Sequence, residues 1–151
     1  MEIQIIRAEY GHLECLLPLF NSYRKFYEQS QDENHARSYL KDRMTNDEAV
    51  IYLAALTNDP KKFVGFVLLY PTFDSVEMAA VCVLHDLFVD PDYRRHGIGK
   101  LLMVAAEDFC RQQNAARIDL ATATGNKKAQ ALYESLGYLR DTDFYQYSLE
   151  L

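Results

Sequence analysis

The chain has 151 residues, 49% of them hydrophobic and 25% charged, a balance typical of one globular domain and not of a disordered chain. Its net charge of −6 at pH 7 argues against nucleic acid as the main partner, because phosphate binding needs a basic face, and it permits a cationic substrate. Three widely spaced cysteines without a Cys-x-x-Cys pair favour neither a disulfide framework nor a zinc site. We therefore expect no metal site. No leader peptide and no membrane-spanning apolar run is evident, so we expect a cytoplasmic protein that binds no membrane.

The first half of the chain predicts two helices and then an antiparallel meander. A short strand at 3–7 precedes a helix at about 11–27, whose apolar residues recur at helical spacing, and a second helix ends at Asn46-Asp47. Three apolar runs rich in strand-forming residues follow, and the short turns between them favour antiparallel pairing. These runs cover residues 49–56, 63–70 and 76–89, with turns at 58–60 and 71–74.

The second half alternates between helices and strands. A helix follows Gly97, a strand covers 117–122, and another helix ends at Gly137. Final strand candidates lie at 138–140 and 144–149. Because strand–helix–strand crossovers produce parallel pairing, we expect a single α/β domain over residues 1–151, with a mixed central sheet and helices on both faces.

The segment after the third meander strand has the order of an anion-binding turn. The strand ends at Val89, Pro91-Asp92 turns the chain, two arginines follow, and Gly97 and Gly99 open a helix. A helix start exposes unpaired N–H groups, glycines let a phosphate approach them closely, and arginines add charge-assisted bonds. An ordinary strand–helix turn with solvated arginines is the alternative, but the ordered combination favours phosphate binding. The glycine spacing matches neither the dinucleotide fingerprint nor the P-loop.

Residues 81–138 resemble the GCN5-related N-acetyltransferase (GNAT) family. Arg94-x-x-Gly97-x-Gly99 looks like that family's pyrophosphate motif, and residues 126–138 look like the helix that follows it. The first third of the chain, where members of this family differ and select their substrates, offers no comparable match.

The resemblance implies a fold and an acyl donor, acetyl-CoA. In this family the mixed, mostly antiparallel sheet is splayed between its fourth and fifth strands, and the pantetheine arm lies in the gap. The backbone of Leu87, Phe88 and Val89 would then pair with the pantetheine amides. Asn126 would bond the arm or cap its own helix, a role that suits asparagine equally well. The residues expected at the pyrophosphate are Arg94, Arg95, His96, Gly97, Ile98, Gly99 and Lys100.

Acetyl transfer to an amine requires a base for the amine and a proton donor for the departing thiolate. Tyr133 is the candidate acid by its place in the matching helix, and a core tyrosine is the alternative. His85 is the candidate base, because a neutral imidazole accepts a proton near neutrality. In a regular strand Asp86 would point to the opposite face from His85, so at most one of them would meet the amine. A bulge would change that parity. Glu77 and an ordered water are the remaining alternatives.

Residues 85–89 and 92–94 also resemble the diamine (spermidine/spermine) acetyltransferase branch, which has an acidic residue where this chain has His85. Tyr23, Tyr27 and Tyr39 would lie on the acceptor side, where they form either a cation cage or core packing.

The sequence therefore indicates an acetyl-CoA-dependent N-acetyltransferase that acts on a primary amine of a small molecule, such as a polyamine or an amino-acid-like amine. The alternatives are a protein lysine or N-terminal acetyltransferase and a CoA-binding sensor without chemistry. The apolar segment 144–149 is a candidate edge strand, and a free edge favours a homodimer.

Overall fold

The computed structural model describes residues 1–151, which fall into two compact units, 1–120 and 121–151. The first unit contains a five-stranded sheet and three helices. In chain order these are β1 (Ile3–Arg7), α1 (Leu13–Phe26), α2 (Glu33–Thr45), β2 (Val50–Leu56), β3 (Asp59–Asp74), β4 (Ala79–Val89), α3 (Ile98–Gln112) and β5 (Ile118–Leu120). No helix of this structure combines the length and the apolar character needed to cross a membrane.

The sheet follows the chain, in the order β1-β2-β3-β4-β5. The first four strands pair antiparallel, and β5 runs parallel to β4. The predicted mixed, mostly antiparallel sheet is thus confirmed. The last strand is shorter than expected, with three residues instead of the six predicted at 117–122.

The predicted turn at 71–74 is wrong, because these residues extend β3 and the turn lies at 75–78. Pro71 stands opposite Cys82, whose N–H donates at 3.1 Å to the Arg117 carbonyl on the other side of β4. This position of the β3–β4 ladder therefore uses no inter-strand hydrogen bond, so a proline that lacks an N–H is tolerated there.

The fifth strand covers only part of the fourth. β5 pairs with Cys82, Val83 and Leu84, and the parallel ladder ends there. β4 itself continues to Val89 and remains paired with β3 on its other side. The edge of β4 from His85 to Val89 therefore has no strand partner beyond the end of β5, on the side where the resemblance led us to expect the splay.

Helices cover both faces of the sheet. Helices α1 and α2 pack on one face around a core that includes Leu17, Leu40 and Phe66, and α3 covers the other face with Ile98, Leu102 and Met103.

Close packing of α3 depends on Gly65 of β3. A Cβ atom there would lie 3.0 Å from the Phe88 carbonyl oxygen and 3.2 Å from Leu102 Cδ1. A side chain at this position would push α3 away from the sheet. Gly65 therefore helps to set the first turn of α3 beside the end of β4.

The second unit contains one helix, α4 (Lys127–Ser135), which ends where Gly137 adopts a φ of 93°. The strands predicted at 138–140 and 144–149 are not present as strands. A strand needs a neighbour to pair its backbone groups, and the residues of this unit supply none. The edge strand on which we based a homodimer is therefore absent.

Candidate active site

The part of β4 beyond β5 offers unpaired backbone groups. The Phe88 carbonyl oxygen lies over Gly65, and the Asp90 N–H donates to the Val64 carbonyl at 2.9 Å, so both groups point towards β3. Because backbone groups alternate along a strand, Leu87 and Val89 present theirs at the opposite, free edge. Phe88 was predicted to share this role, but its backbone faces β3 and its side chain is buried.

A β-bulge marks the start of this free edge. Leu68 stands opposite Asp86 and Leu69 opposite Leu84, so His85 is the extra residue in β4. The bulge turns His85 and Asp86 towards the same face of the sheet. The His85 ring packs edge-on against Tyr70 at a centroid distance of 5.5 Å, and His85 Nδ1 lies 3.1 Å from Asp86 Oδ1. The strand is therefore not regular here, and the bulge that would change the parity of these two side chains is present.

Asp86 is the one charged residue that is buried in the core of the first unit, with 6% of the residue exposed. Its Oδ1 accepts a hydrogen bond from the Tyr23 hydroxyl of α1, which lies 63 residues earlier in the chain. Burial and this hydrogen bond raise the pKa of Tyr23 well above its usual range, so the hydroxyl stays protonated and donates.

Tyrosines form the wall around this pair. The hydroxyls of Tyr39 and Tyr70 lie 2.5 Å apart, and burial raises the pKa of Tyr70 above its usual range. Tyr23 stacks edge-on against Tyr27 at 5.1 Å and against Phe66 at 5.4 Å. Tyr23 and Tyr39 are therefore packed and bonded within the protein, as core and rim residues, and Tyr27 is half exposed.

The N-terminus of α3 follows the free edge directly. Arg95 and Gly97 have positive φ angles, of 67° and 75°, and Gly97 caps the helix without a side chain. The first helical N–H with a partner in the chain is that of Leu101, which donates to the Gly97 carbonyl at 3.1 Å. The N–H groups of Ile98, Gly99 and Lys100 are thus left at the positive end of the helix dipole. A group of this kind binds anions.

The two arginines have different surroundings. Arg94 Nε donates to the Val89 carbonyl at 2.9 Å, and its guanidinium lies 5.7 Å from the Phe88 ring centroid. Arg94 therefore lies at the end of the free edge and occupies the Val89 carbonyl, which is no longer available to a ligand. Arg95 is exposed and makes no ion pair, whereas His96 Nδ1 lies 3.1 Å from the Tyr93 carbonyl oxygen.

The predicted residues of the second unit lie on α4. Asn126 caps this helix, with its Oδ1 accepting the Ala129 N–H at 3.2 Å, so the capping role is present. Tyr133 lies two turns further along, and its ring centroid is 6.1 Å from that of Tyr138.

Glu77 does not lie on the cleft strand. It is in the turn between β3 and β4, where Arg117 binds it at 2.9 Å. No cluster of His, Cys, Asp and Glu side chains is placed to hold a metal ion. Sequence reasoning missed Tyr70 and the contact between Tyr23 and Asp86, because a bulge and a long-range contact leave no local pattern.

Comparison with known proteins identifies the family. The acetyltransferase (GNAT) family model matches residues 16–138. The Bacillus subtilis (strain 168) protein named uncharacterized N-acetyltransferase YhfO is 42% identical over 149 residues, 99% of this chain and 98% of that protein.

Two solved structures share the fold. The crystal structure of a probable acetyltransferase has a TM-score of 0.92 at 34% identity, covering 98% of this chain and 97% of that one. An aminoglycoside N-acetyltransferase in complex with CoA has a TM-score of 0.83 at 18% identity, covering 99% and 96%. The chain, with its open mixed sheet and its Arg94-x-x-Gly97-x-Gly99 turn, therefore belongs to the acetyltransferase (GNAT) family and is an N-acetyltransferase.

Proposed function

We propose that this protein transfers the acetyl group of acetyl-CoA to a primary amine of a small molecule. The observation that carries the proposal is the continuity of two binding features. The free backbone groups of Leu87 and the free N–H of Val89 lie on the strand that precedes the unpartnered N–H groups at the start of α3. A strand edge with free backbone groups, followed by an anion site, suits an acyl donor that has two amides in its arm and a pyrophosphate.

The residues present suit such a donor. Gly97 has open space where a side chain would be, so a phosphate can approach the backbone. Arg95 and Lys100 are exposed cations beside these N–H groups and supply charge-assisted bonds. Arg94 contributes less to phosphate binding in this proposal, because its Nε is already bonded to the Val89 carbonyl.

Bound acetyl-CoA supplies a thioester as the acyl source. His85 accepts the proton of the acceptor amine, so that the neutral amine can attack. The Leu87 N–H is the free-edge donor that follows the His85–Asp86 bulge, and it is suited to the oxyanion that forms. Tyr133 is the proposed donor of a proton to the departing thiolate, an assignment that rests on its place in the family's helix.

The acceptor class is inferred from the charges at the site. The His85 side chain is 62% exposed, so an acceptor amine can reach it, and the carboxylate of Asp86 beneath it favours a cationic acceptor. The related fold of an aminoglycoside N-acetyltransferase supports a small polyamine or amino-sugar acceptor as the class to examine first.

The test is release of the CoA thiol from acetyl-CoA in the presence of a panel of amines. The panel contains diamines, amino acids, an aminoglycoside, and peptides with a lysine or a free N-terminus. We expect turnover with at least one small amine. Turnover with peptides alone would replace the small-molecule proposal by a protein acetyltransferase, and binding of CoA without any thiol release would indicate a sensor.

A further inference from the structure

We propose that Asp86 and Tyr23 are positioning residues, which fix His85 as its Nδ1–H tautomer and leave Nε2 to take the proton from the acceptor amine. This inference rests on the proposed function, since it gives the base of that reaction a defined orientation. The bulge is its structural cause, because without the extra residue Asp86 and His85 would lie on opposite faces of β4.

The tautomer follows from the hydrogen-bonding capacity of the groups. A carboxylate anion only accepts hydrogen bonds, so in our proposal the contact between Asp86 Oδ1 and His85 Nδ1 at 3.1 Å assigns the proton to Nδ1. A neutral imidazole carries one N–H, and Nε2 then has a free lone pair. The side chain of His85 is 62% exposed, whereas that of Asp86 is only 8% exposed. The imidazole is therefore accessible from the solvent side, and its carboxylate partner lies in the core.

Tyr23 holds the carboxylate in place. Its hydroxyl donates to the same oxygen, Asp86 Oδ1, and the tyrosine ring packs against both Phe66 and Phe88 at centroid distances of 5.4 and 5.9 Å. A carboxylate buried in an apolar core is costly unless it is bonded. The Tyr23 hydroxyl reduces that cost and selects one position of Asp86.

Tyr70 restrains the imidazole from another side. Its ring meets the His85 ring edge-on at 5.5 Å, and its hydroxyl is bonded to that of Tyr39 on α2. The imidazole is thus oriented by a hydrogen bond at one nitrogen and by a ring contact on one side. The carboxylate also offsets the charge of the imidazolium that forms when Nε2 takes the proton.

The tautomer can be measured without any substrate, from the imidazole ¹⁵N chemical shifts of ¹⁵N-histidine-labelled protein. The chain has four histidines, and His85→Gln assigns the signal of interest. We expect the Nδ1–H form in the parent and a shift towards the Nε2–H form in Asp86→Asn. The matched control is Asp119→Asn, which removes an exposed carboxylate of β5 and should leave the His85 signal unchanged. An Nε2–H tautomer in the parent would overturn the proposal.

Kinetic measurements then distinguish a positioning role of Asp86 from a purely structural role. Asp86→Asn should lower kcat by about 10-fold or more, which is part of the ~10²–10⁴-fold contribution of general acid–base catalysis, and should leave the KM for acetyl-CoA unchanged. The same change in a His85→Gln background should have no further effect on kcat, because both act through one imidazole. An equal loss in both backgrounds would show that Asp86 is only structural.

Tyr23→Phe keeps the ring packing and tests the same chain of bonds if Asp86→Asn does not fold. It should shift the tautomer in the same direction and lower kcat, whereas the half-buried Tyr52→Phe on β2 should do neither. An unchanged tautomer and an unchanged kcat in Tyr23→Phe would remove Tyr23 from the proposal. If no amine supports thiol release, the proposed function fails, and the ¹⁵N shifts still decide whether Asp86 fixes the ring.

Discussion

The side chains that meet at the start of the free edge are brought together by one extra residue in β4. Opposite Leu68 and Leu69, the bulge at His85 turns a histidine and a buried carboxylate to the same face. Tyr23 and Tyr70 then contact this pair from α1 and from β3. Each of the four groups has a defined partner, so the chemistry we assign to His85 depends on residues that are far apart in sequence.

His85→Gln is expected to lower kcat/KM and to change its dependence on pH. A base that must be neutral to accept the proton of the amine gives the pH profile of the parent an acidic limb. The glutamine variant lacks this titrating group, so the acidic limb of the profile should disappear along with ~10²–10⁴-fold of the rate. Profiles of kcat/KM with one acceptor would show this, and coincident curves for the two proteins would make His85 a structural residue.

Tyr133→Phe should lower turnover far more than it lowers donor binding. Loss of a proton donor to the thiolate typically costs ~10²–10⁴-fold in rate, whereas the phenyl ring keeps the packing of α4. The measurement is kcat beside the Kd for CoA, with the exposed Tyr10→Phe as control. Equal turnover in variant and parent would assign Tyr133 to packing alone.

At the level of whole elements, the site depends on how β4, β5 and α3 end and begin. β5 stops opposite Leu84, β4 runs on to Val89, and α3 starts at Ile98 with three N–H groups that no residue of the chain accepts. Gly65 lets α3 pack closely enough to keep this order. Together these ends leave two sets of free backbone donors, one on the edge of β4 and one at the start of α3.

Replacing Gly99 by valine should weaken the binding of CoA by about 10-fold or more. A branched side chain in the first turn of α3 would occupy the space that a phosphate needs above the N–H groups. Isothermal titration with CoA measures the effect. Gly11→Val is the matched control, because Gly11 lies in an exposed turn with open space around it. Unchanged affinity in a folded Gly99→Val protein would exclude the α3 turn as the phosphate site.

The ion pair between Asp74 at the end of β3 and Arg117 should make the protein less stable at acid pH. The hydrogen bond from Arg117 lowers the pKa of Asp74, so this carboxylate stabilises the folded state above its unfolded pKa of about 4. That contribution is lost as the pH falls below about 4 and passes through the lowered pKa that Asp74 has in the folded state. Thermal melts from pH 7 to pH 3 should show a smaller acid loss in Arg117→Gln than in the parent or in the Arg111→Gln control. Identical acid losses in all three proteins would show that the Asp74–Arg117 pair is not coupled to folding.

Across the whole molecule, local patterns predicted the elements, and long-range contacts decided the site. Helical spacing located α1 and α3, and the glycine pattern located the start of α3, because these signals lie within a few residues. The bulge at His85 was not predictable, since it arises from the register between two strands. The strand proposed at 144–149 has an alternating apolar pattern, but such a pattern cannot supply the partner that a strand requires.

The central claim is that acetyl-CoA binds along the free edge of β4 and at the first turn of α3. Amide hydrogen exchange, followed by NMR with and without CoA, tests it most directly. CoA should slow exchange at the amides of Leu87, Val89, Ile98, Gly99 and Lys100, because these N–H groups gain acceptors from the donor. Slowed exchange confined to other parts of the sheet, with these five amides unchanged, would contradict the account.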